Sequence, residues 1–349
     1  MNGTESETQP TPELDTDRTV LVTGATGYIG ARLTPRLLGE GYAVRVLTRE
    51  RSRIEDRDWA DDVEVVEGDA TRSVDLDKAC AGVDVAYYLL HSMDGEGDFV
   101  ERDRELARRF GLAAQKAGVQ RIVYLSGLHP EGELSDHLAS RVEVGDLLMA
   151  SGVPTAVLQA AVVVGSGSAS FEMLRHLTTR LPVMVTPKWL DNKIQPIAVS
   201  DVIDLLVAAA SLPPEVNREF DIAGPDVLTY KEMIERFAAT AGLPQRRILT
   251  VPVLTPFLAS QWVGLVTPVP TGLAKPLVGS LLHEVIASED DLGELVGRPR
   301  AELLGFEEAV AAALVGDADG DGPRPEPGTV DPARLTAADP SWAGARRGK

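Results

Sequence analysis

Thr19-Val20-Leu21-Val22-Thr23 runs directly into Gly24-Ala25-Thr26-Gly27-Tyr28-Ile29-Gly30. The first five residues read as a buried strand. Glycines then stand at every third position, and residues 31–39 follow with a helical pattern. Strand, glycine loop and helix in that order form a known physical device. The first glycine permits a tight turn, the second lets backbone approach a pyrophosphate, and the third lets helix pack on strand. The helix N-terminus turns its free N–H groups toward the phosphates. A dinucleotide is therefore expected on Gly24, Ala25, Thr26, Gly27, Tyr28, Ile29 and Gly30.

The same alternation continues outward. Strand patterns at Ala43–Thr48, 63–66, 83–90, 121–126 and Thr155–Ala160 are separated by glycine-rich turns and by helical patterns at Phe99–Ala117 and 135–150. This is the signature of βαβ units, so the expected fold class is α/β, a doubly wound parallel sheet of Rossmann type. After Gly165 the pattern loosens. Gly165-Ser166-Gly167-Ser168 reads as a flexible loop or an anion-binding nest. Short strands at 196–198 and 220–222 and helices at 201–211 and 230–241 suggest a smaller C-terminal α+β lobe. The expected organisation is a disordered tail at 1–18, a dinucleotide-binding domain at 19–165, a substrate lobe at 166–315 with strands free to return to the core sheet, and a disordered tail at 316–349.

The chain has 349 residues and a formal net charge of −19. An acidic body repels phosphate backbones, which argues against a nucleic-acid partner. Cys80 is the single cysteine, so no internal disulfide forms, and the five histidines lack zinc-like spacing. The polar, acidic N-terminus is unlike a secretory signal, and the expected location is cytoplasmic. No charge occurs between Arg247 and Lys275, but Pro252, Pro256, Pro268 and Pro270 interrupt that stretch. It reads as a buried or pocket-lining segment rather than an integral membrane span, with weak peripheral membrane association as the alternative.

The end of the second strand decides which cofactor. A protein that reads the free ribose 2′-hydroxyl usually has Asp or Glu there, whereas this chain has Thr48-Arg49, with Arg51 and Arg53 nearby. A guanidinium suits a 2′-phosphate, which points to NADP(H), with NAD(H) as the alternative. Because Glu50 and Glu55 are interspersed, a solvated basic turn is the rival reading. Asp69 in Gly68-Asp69-Ala70 follows the third strand, placed either to accept from an adenine amino group or to cap a turn.

These motifs resemble the atypical, extended-type branch of the short-chain dehydrogenase/reductases, which includes NmrA-like redox sensors and the accessory Rossmann subunit of respiratory complex I. The resemblance spans roughly residues 19–315. It rests on TGATGYIG at 23–30, GDA at 68–70, YLLHSM at 88–93, YLSG at 124–127, HLASR at 137–141, PKWLDNKIQPI at 187–197 and FDIAGPDVLTY at 220–230. It implies a nicotinamide cofactor bound by the glycine loop, by Asp69 and Ala70, and by Leu90 and His91 beside its ribose half. It also implies a catalytic set of a serine with a YxxxK pair. Ser126 matches the serine, while the pair reads His137-Leu138-Ala139-Ser140-Arg141, His for Tyr and Arg for Lys. The i,i+4 spacing keeps both side chains on one helix face. Arg141 could hold ribose hydroxyls and His137 could exchange a proton; the alternative is a structural role for both.

Weaker candidates are Tyr87, Tyr88 and Tyr124; Trp189, Lys193 and Gln195 at the lobe junction; and Arg175 and Arg180 for an anionic substrate. His129, His176 and His283 carry no spacing signal. The expected function is an NADP(H)-dependent oxidoreductase with an apolar or quinone-like small-molecule substrate. The alternatives are a non-catalytic NAD(P)H-binding redox sensor or assembly protein, and a sugar-nucleotide epimerase or dehydratase, which would need the absent tyrosine.

Overall fold

The computed structural model describes residues 18–91, 99–130, 134–251, 266–315, 326–336 and 339–344. Its strands are β1 Thr19–Thr23, β2 Ala43–Thr48, β3 Glu64–Glu67, β4 Val85–Tyr88, β5 Arg121–Gly127, β6 Thr155–Ala160, β7 Val163–Val164, β8 Val183–Pro187, β9 Lys193–Ile194, β10 Ile197–Ala198, β11 Arg218–Ile222, β12 Leu228–Thr229 and β13 Arg247–Val251. Its helices are α1 Tyr28–Gly39, α2 Ser73–Cys80, α3 Phe99–Ala117, α4 Asp136–Met149, α5 Ala169–Arg180, α6 Val199–Ala209, α7 Tyr230–Thr240, α8 Thr271–Ser280, α9 Asp291–Leu295 and α10 Phe306–Leu314.

Seven strands form one parallel sheet in the order β11-β6-β5-β4-β1-β2-β3. Both faces are covered, so the strands are apolar on both sides and successive residues enter different cores. Val20 and Val22 pack with α1 and α6, whereas Leu21 packs with α2 and α3. Tyr87 and Tyr88 divide in the same way. The Tyr87 hydroxyl donates to Leu206 O at 3.2 Å, and Tyr88 stacks edge-on against Phe110 and Tyr124. Neither tyrosine reaches the mouth of the sheet.

A third core joins α5, α7, α8 and α10 with the short strands beyond β6. The lobe is not a contiguous unit, because α6 packs against α1 and β11 extends the main sheet. The chain order reverses between β1 and β4. That switch point opens a crevice at the carboxyl ends of the strands, where such sheets bind ligands.

The C-terminal expectation needs correction. Residues 326–336 and 339–344 lie against the body, with Ala333 buried and Gly328 against Gly39. Their Asp, Gly and Pro content cannot build an apolar core. They are held instead by buried polar contacts, chiefly to Arg32. Of the tail expected at 1–18, residues 1–17 lie outside the described residues, as do 316–325 and 345–349. So does 252–265 of the uncharged stretch, with Pro252 and Pro256. Among the described residues, no helix is long and apolar enough to cross a membrane, and no cluster of metal-ligating side chains occurs.

Candidate active site

The crevice is built first from backbone. Thr23 ends β1 and locks it to β4: its hydroxyl donates to Tyr87 O at 2.8 Å and accepts from the Leu89 N–H at 3.3 Å. Gly24 then turns with φ +74°, and a Cβ there would sit 2.6 Å from Leu89 O. A Cβ on Gly30 would overlap Gly24 O and stand 2.8 Å from Ala25 Cα, so α1 packs onto its own loop only through glycine. Gly27 is the helix N-cap and supplies no side-chain acceptor. The first N–H groups of α1 therefore keep their capacity for an external anion. This cradle fits a dinucleotide pyrophosphate.

From the loop, a cavity of about 330 Å³ runs along the sheet ends. Gly24, Gly27, Tyr28, Ile29 and Gly30 line one end, with Leu89, Leu90 and His91 beside them. Ala25 is buried beneath the loop, Thr26 is exposed at its tip, and neither lines the cavity.

The middle of the cavity is polar. Ser126 at the end of β5 is 2% exposed, and its hydroxyl lies against that of Tyr124. Arg141 Nε is buried without a partner, and a Cβ on Gly127 would lie 3.6 Å from Arg141 Nη1. The guanidinium thus lies beside the residue that follows Ser126. The Tyr124 hydroxyl donates to Arg141 O at 3.3 Å, which ties β5 to α4. Ser135 caps α4, accepting from the Leu138 N–H at 3.4 Å, and starts the turn that carries His137 and Arg141. A buried polar atom without a partner is costly in an apolar site, and Arg141 Nε is one such atom on a residue that lines this cavity.

Both histidines of the cavity are held neutral. Burial pushes His137 below the ordinary imidazole range, and the Arg141 charge adds to this. His91 goes further, to about 3, through enclosure first and then Arg141 and His137. His91 is nonetheless an exposed residue that lines the cavity. The His137 ring lies 6.3 Å from that of Phe99.

The far end is apolar. Leu128, Ile194, Leu273, Leu277, Leu281 and Val285 form its wall. Leu273, Leu277 and Leu281 recur every fourth residue, a helical stripe visible in the sequence. Pairing this stripe with β5 required the fold.

Several sequence candidates lie elsewhere. Arg49 is exposed after β2 and outside the cavity lining; Asp69 and Ala70, half-buried after β3, are also outside that lining. Asp69 caps its turn: the Thr71 N–H and hydroxyl both donate to Oδ1 at 2.8 Å, and these bonds lower its pKa. Arg175 is buried, donating to Ser166 Oγ at 2.7 Å and Ala313 O at 3.0 Å, so it is not an anchor for an anionic substrate. Gln195 is a structural link, donating to Gly224 O and accepting from the Ala287 N–H. Trp189 packs in the third core, Lys193 is exposed, and Arg180 bonds Val266 O. His129 approaches Gln159 at 3.4 Å, His176 bonds Trp342 O, and His283 is exposed. The 165–168 loop is buried and paired internally rather than an open nest. Gly167 N–H donates to Glu172 Oε1 at 3.0 Å, so the chain fills that position with its own carboxylate.

Comparison with known proteins agrees with this geometry. The NAD(P)H-binding family matches residues 24–170. A ceramide reductase of Caulobacter vibrioides is 30% identical over 276 residues, covering 76% of this chain and 84% of the relative. A (4-alkanoyl-5-oxo-2,5-dihydrofuran-3-yl)methyl phosphate reductase of Streptomyces griseus is 29% identical over 236 residues, 65% of this chain and 75% of the relative. Among solved structures, the triphenylmethane reductase of Citrobacter sp., complexed with NADP(H), superposes with a TM-score of 0.66 at 19% identity, covering 85% of this chain and all of that one. The chain belongs to the NAD(P)H-binding oxidoreductases of the atypical short-chain dehydrogenase/reductase type.

Proposed function

We propose that this chain is an NADPH-preferring reductase acting on a carbonyl or quinone group carried by an apolar molecule. The observation that carries this is the order of surfaces in one cavity: glycine cradle, then Ser126, His137 and Arg141, then a wall of aliphatic side chains. A bound nicotinamide nucleotide would supply hydride. The chain's own residues do the rest. The Ser126 hydroxyl, which lines the cavity, donates a hydrogen bond to the acceptor oxygen. His137 delivers the proton as its imidazolium, whose population the depressed pKa keeps small at neutral pH. Arg141 holds ribose hydroxyls and contributes to that depression. The aliphatic wall excludes water and selects an apolar tail. Ceramide, for which the Caulobacter relative is named, is a lipid, which favours this class over sugar nucleotides.

The preference for NADPH rests on Arg49, exposed where a ribose-reading carboxylate would stand. A second reading, a redox sensor that binds without turnover, is favoured by His137 and Arg141 standing where the family has tyrosine and lysine. One experiment separates them: anaerobic NADPH oxidation with long-chain ketones, quinones and small polar carbonyls, paired with calorimetry of nucleotide binding on the same sample. Turnover confined to the apolar acceptors is the expected result. Tight binding with no turnover on any acceptor overturns the reductase in favour of the sensor.

A further inference from the structure

Arg32 is the most heavily bonded side chain behind the glycine loop. It sits one turn into α1, 5% exposed, with its guanidinium 4.0 Å over the Tyr28 ring. Nη1 donates to Tyr28 O at 3.3 Å, and Nη2 donates to Ser166 O at 2.8 Å. The other acceptors come from the far end of the chain. Nε donates to Pro332 O at 2.7 Å, Nη2 to Arg334 O at 3.1 Å, and Nη1 and Nη2 meet the two Asp339 carboxylate oxygens at 2.9 and 2.7 Å. The pair is almost fully buried, at 4% side-chain exposure on each side.

The same C-terminal segment grips the opposite side of the cavity. Ala333 O accepts from the Ser166 N–H at 2.9 Å. Asp339 packs so closely on Gly167 that a Cβ there would lie 2.6 Å from its Cγ. The Gly344 N–H donates to Glu172 Oε2 at 3.0 Å, and Glu172 itself accepts from the Gly167 N–H. Tyr28 lines the cavity from the glycine loop, and Ser168, Ala169 and Ser170 line it from the segment after Gly167. A Cβ on Gly165 would sit 2.6 Å from the Tyr28 hydroxyl, so the two walls are in close register.

We propose that residues 331–336 and 339–344 act as a strap that sets the spacing of the two walls of the cofactor cleft, with Asp339 and Arg32 as positioning residues for the nucleotide. Neither touches the cavity; both act through Tyr28 and the 165–170 segment. An arginine buried this deeply is stable only while its partner is present, because removing one member of a buried pair strands the other charge. Strap docking and cleft geometry are therefore linked. Linkage is reciprocal, so a nucleotide that needs the docked strap must also hold the strap down.

The inference rests on the glycine-loop cleft being the nucleotide site, and the test separates the two. NADPH binding is titrated calorimetrically in the full-length parent, in Asp339→Ala, and in Leu292→Ala. Leu292 is a buried α9 residue outside the cleft lining, and its variant serves as a control for stability loss alone. Measurements are made well below every melting temperature. Asp339→Ala is expected to weaken NADPH binding about tenfold, within the ordinary range of coupling between linked sites, while Leu292→Ala keeps the parent affinity. Hydrogen exchange of the parent is expected to slow both in 24–30 and in the strap when NADPH is added. Slowing at 24–30 with none in the strap, or an unchanged affinity in Asp339→Ala despite a lowered melting temperature, overturns the strap and leaves the site. A parent that shows no protection at 24–30 overturns the site and the strap together.

Discussion

The two ends of the cavity are made in opposite ways. The cofactor end is one unbroken stretch, Gly24 to Gly30, and works through backbone: a positive φ, a close approach and a bare helix N-terminus. The far end is assembled from side chains of separate segments, Leu128 after β5, Ile194 on β9, Leu277 on α8 and Val285 beyond it. The first end should tolerate no added Cβ at its key positions yet be indifferent to the chemistry of its exposed side chain, Thr26. The second should accept changes of shape but respond to polarity. Each prediction below is a way to break or sharpen that contrast.

The largest effect on nucleotide affinity is expected from Gly30→Val. Its branched side chain would overlap Gly24 O and crowd Ala25 Cα. Overpacking of this kind costs about 1–3 kcal/mol of stability. Because the displaced atoms are those of the cradle, NADPH affinity should fall about 100-fold, or roughly 2.7 kcal/mol. Thermal unfolding and calorimetry check the two parts. Full affinity in the variant would mean that the loop does not hold the nucleotide.

That contrast also explains what the sequence revealed. Gly24, Gly27 and Gly30 announce their role because backbone function demands glycine at fixed spacing, and the strands announce themselves because a sheet buried on both faces is apolar throughout. Ser126, His137 and Arg141 could be placed on one site only through the family pattern; nothing in their spacing predicts that Arg141 lies against Gly127. The aliphatic wall was less legible. Leu273, Leu277 and Leu281 show a helical stripe, but no local signal says that it faces β5. The strap was misjudged altogether. Residues such as Asp331, Pro332, Thr336 and Asp339 have the composition of a disordered tail, and their ordering depends on backbone carbonyls meeting Arg32, some 300 positions earlier. Composition measures apolar burial and is blind to a segment ordered by a buried charge.

His137→Phe tests the polar middle. If His137 supplies the proton, turnover should fall by about 10²- to 10⁴-fold while NADPH affinity stays. In the parent, the rate should rise as pH falls toward the depressed His137 pKa, because the donor is the imidazolium. The variant should lose that rise. Equal turnover and an unchanged pH profile would assign His137 a structural role.

Leu277→Gln addresses the far end. Adding an amide to the aliphatic wall should raise KM for a long-chain acceptor about tenfold, the scale set by an apolar pocket contact. NADPH affinity should not move, because the cradle is at the other end. A loss of nucleotide affinity would mean that the two ends are not separable.

Arg49→Glu probes a residue near the cofactor end that works through charge rather than backbone. It should weaken NADPH about tenfold, as expected for loss of a charge-assisted contact, and leave NADH equal or better. Steady-state kinetics with both nucleotides check this. Equal preference in parent and variant would return Arg49 to the solvated turn.

The smallest effect expected is on stability against pH. His91, His137 and His176 all have pKa values below the ordinary imidazole range near 6.5, each chiefly through burial. A depressed folded-state pKa contributes stability that is present above about 6.5 and is lost as pH falls through the folded value, because the unfolded chain takes up protons the folded one refuses. The buried carboxyls Glu172, Asp201 and Glu219 have raised pKa values and act in the reverse sense, losing stability as pH rises through their folded values. The parent's own profile therefore mixes both signs, and only a difference isolates the imidazole contribution. His91→Gln keeps a polar side chain in the cavity without a titrating ring. Between pH 7 and pH 5 its melting temperature should fall less than the parent's. Calorimetric scans of both proteins at matched ionic strength measure that difference. Parallel profiles would show that His91 takes up its proton in the folded cleft as readily as in water, and that the polar middle of the cavity is wetter than its enclosure implies.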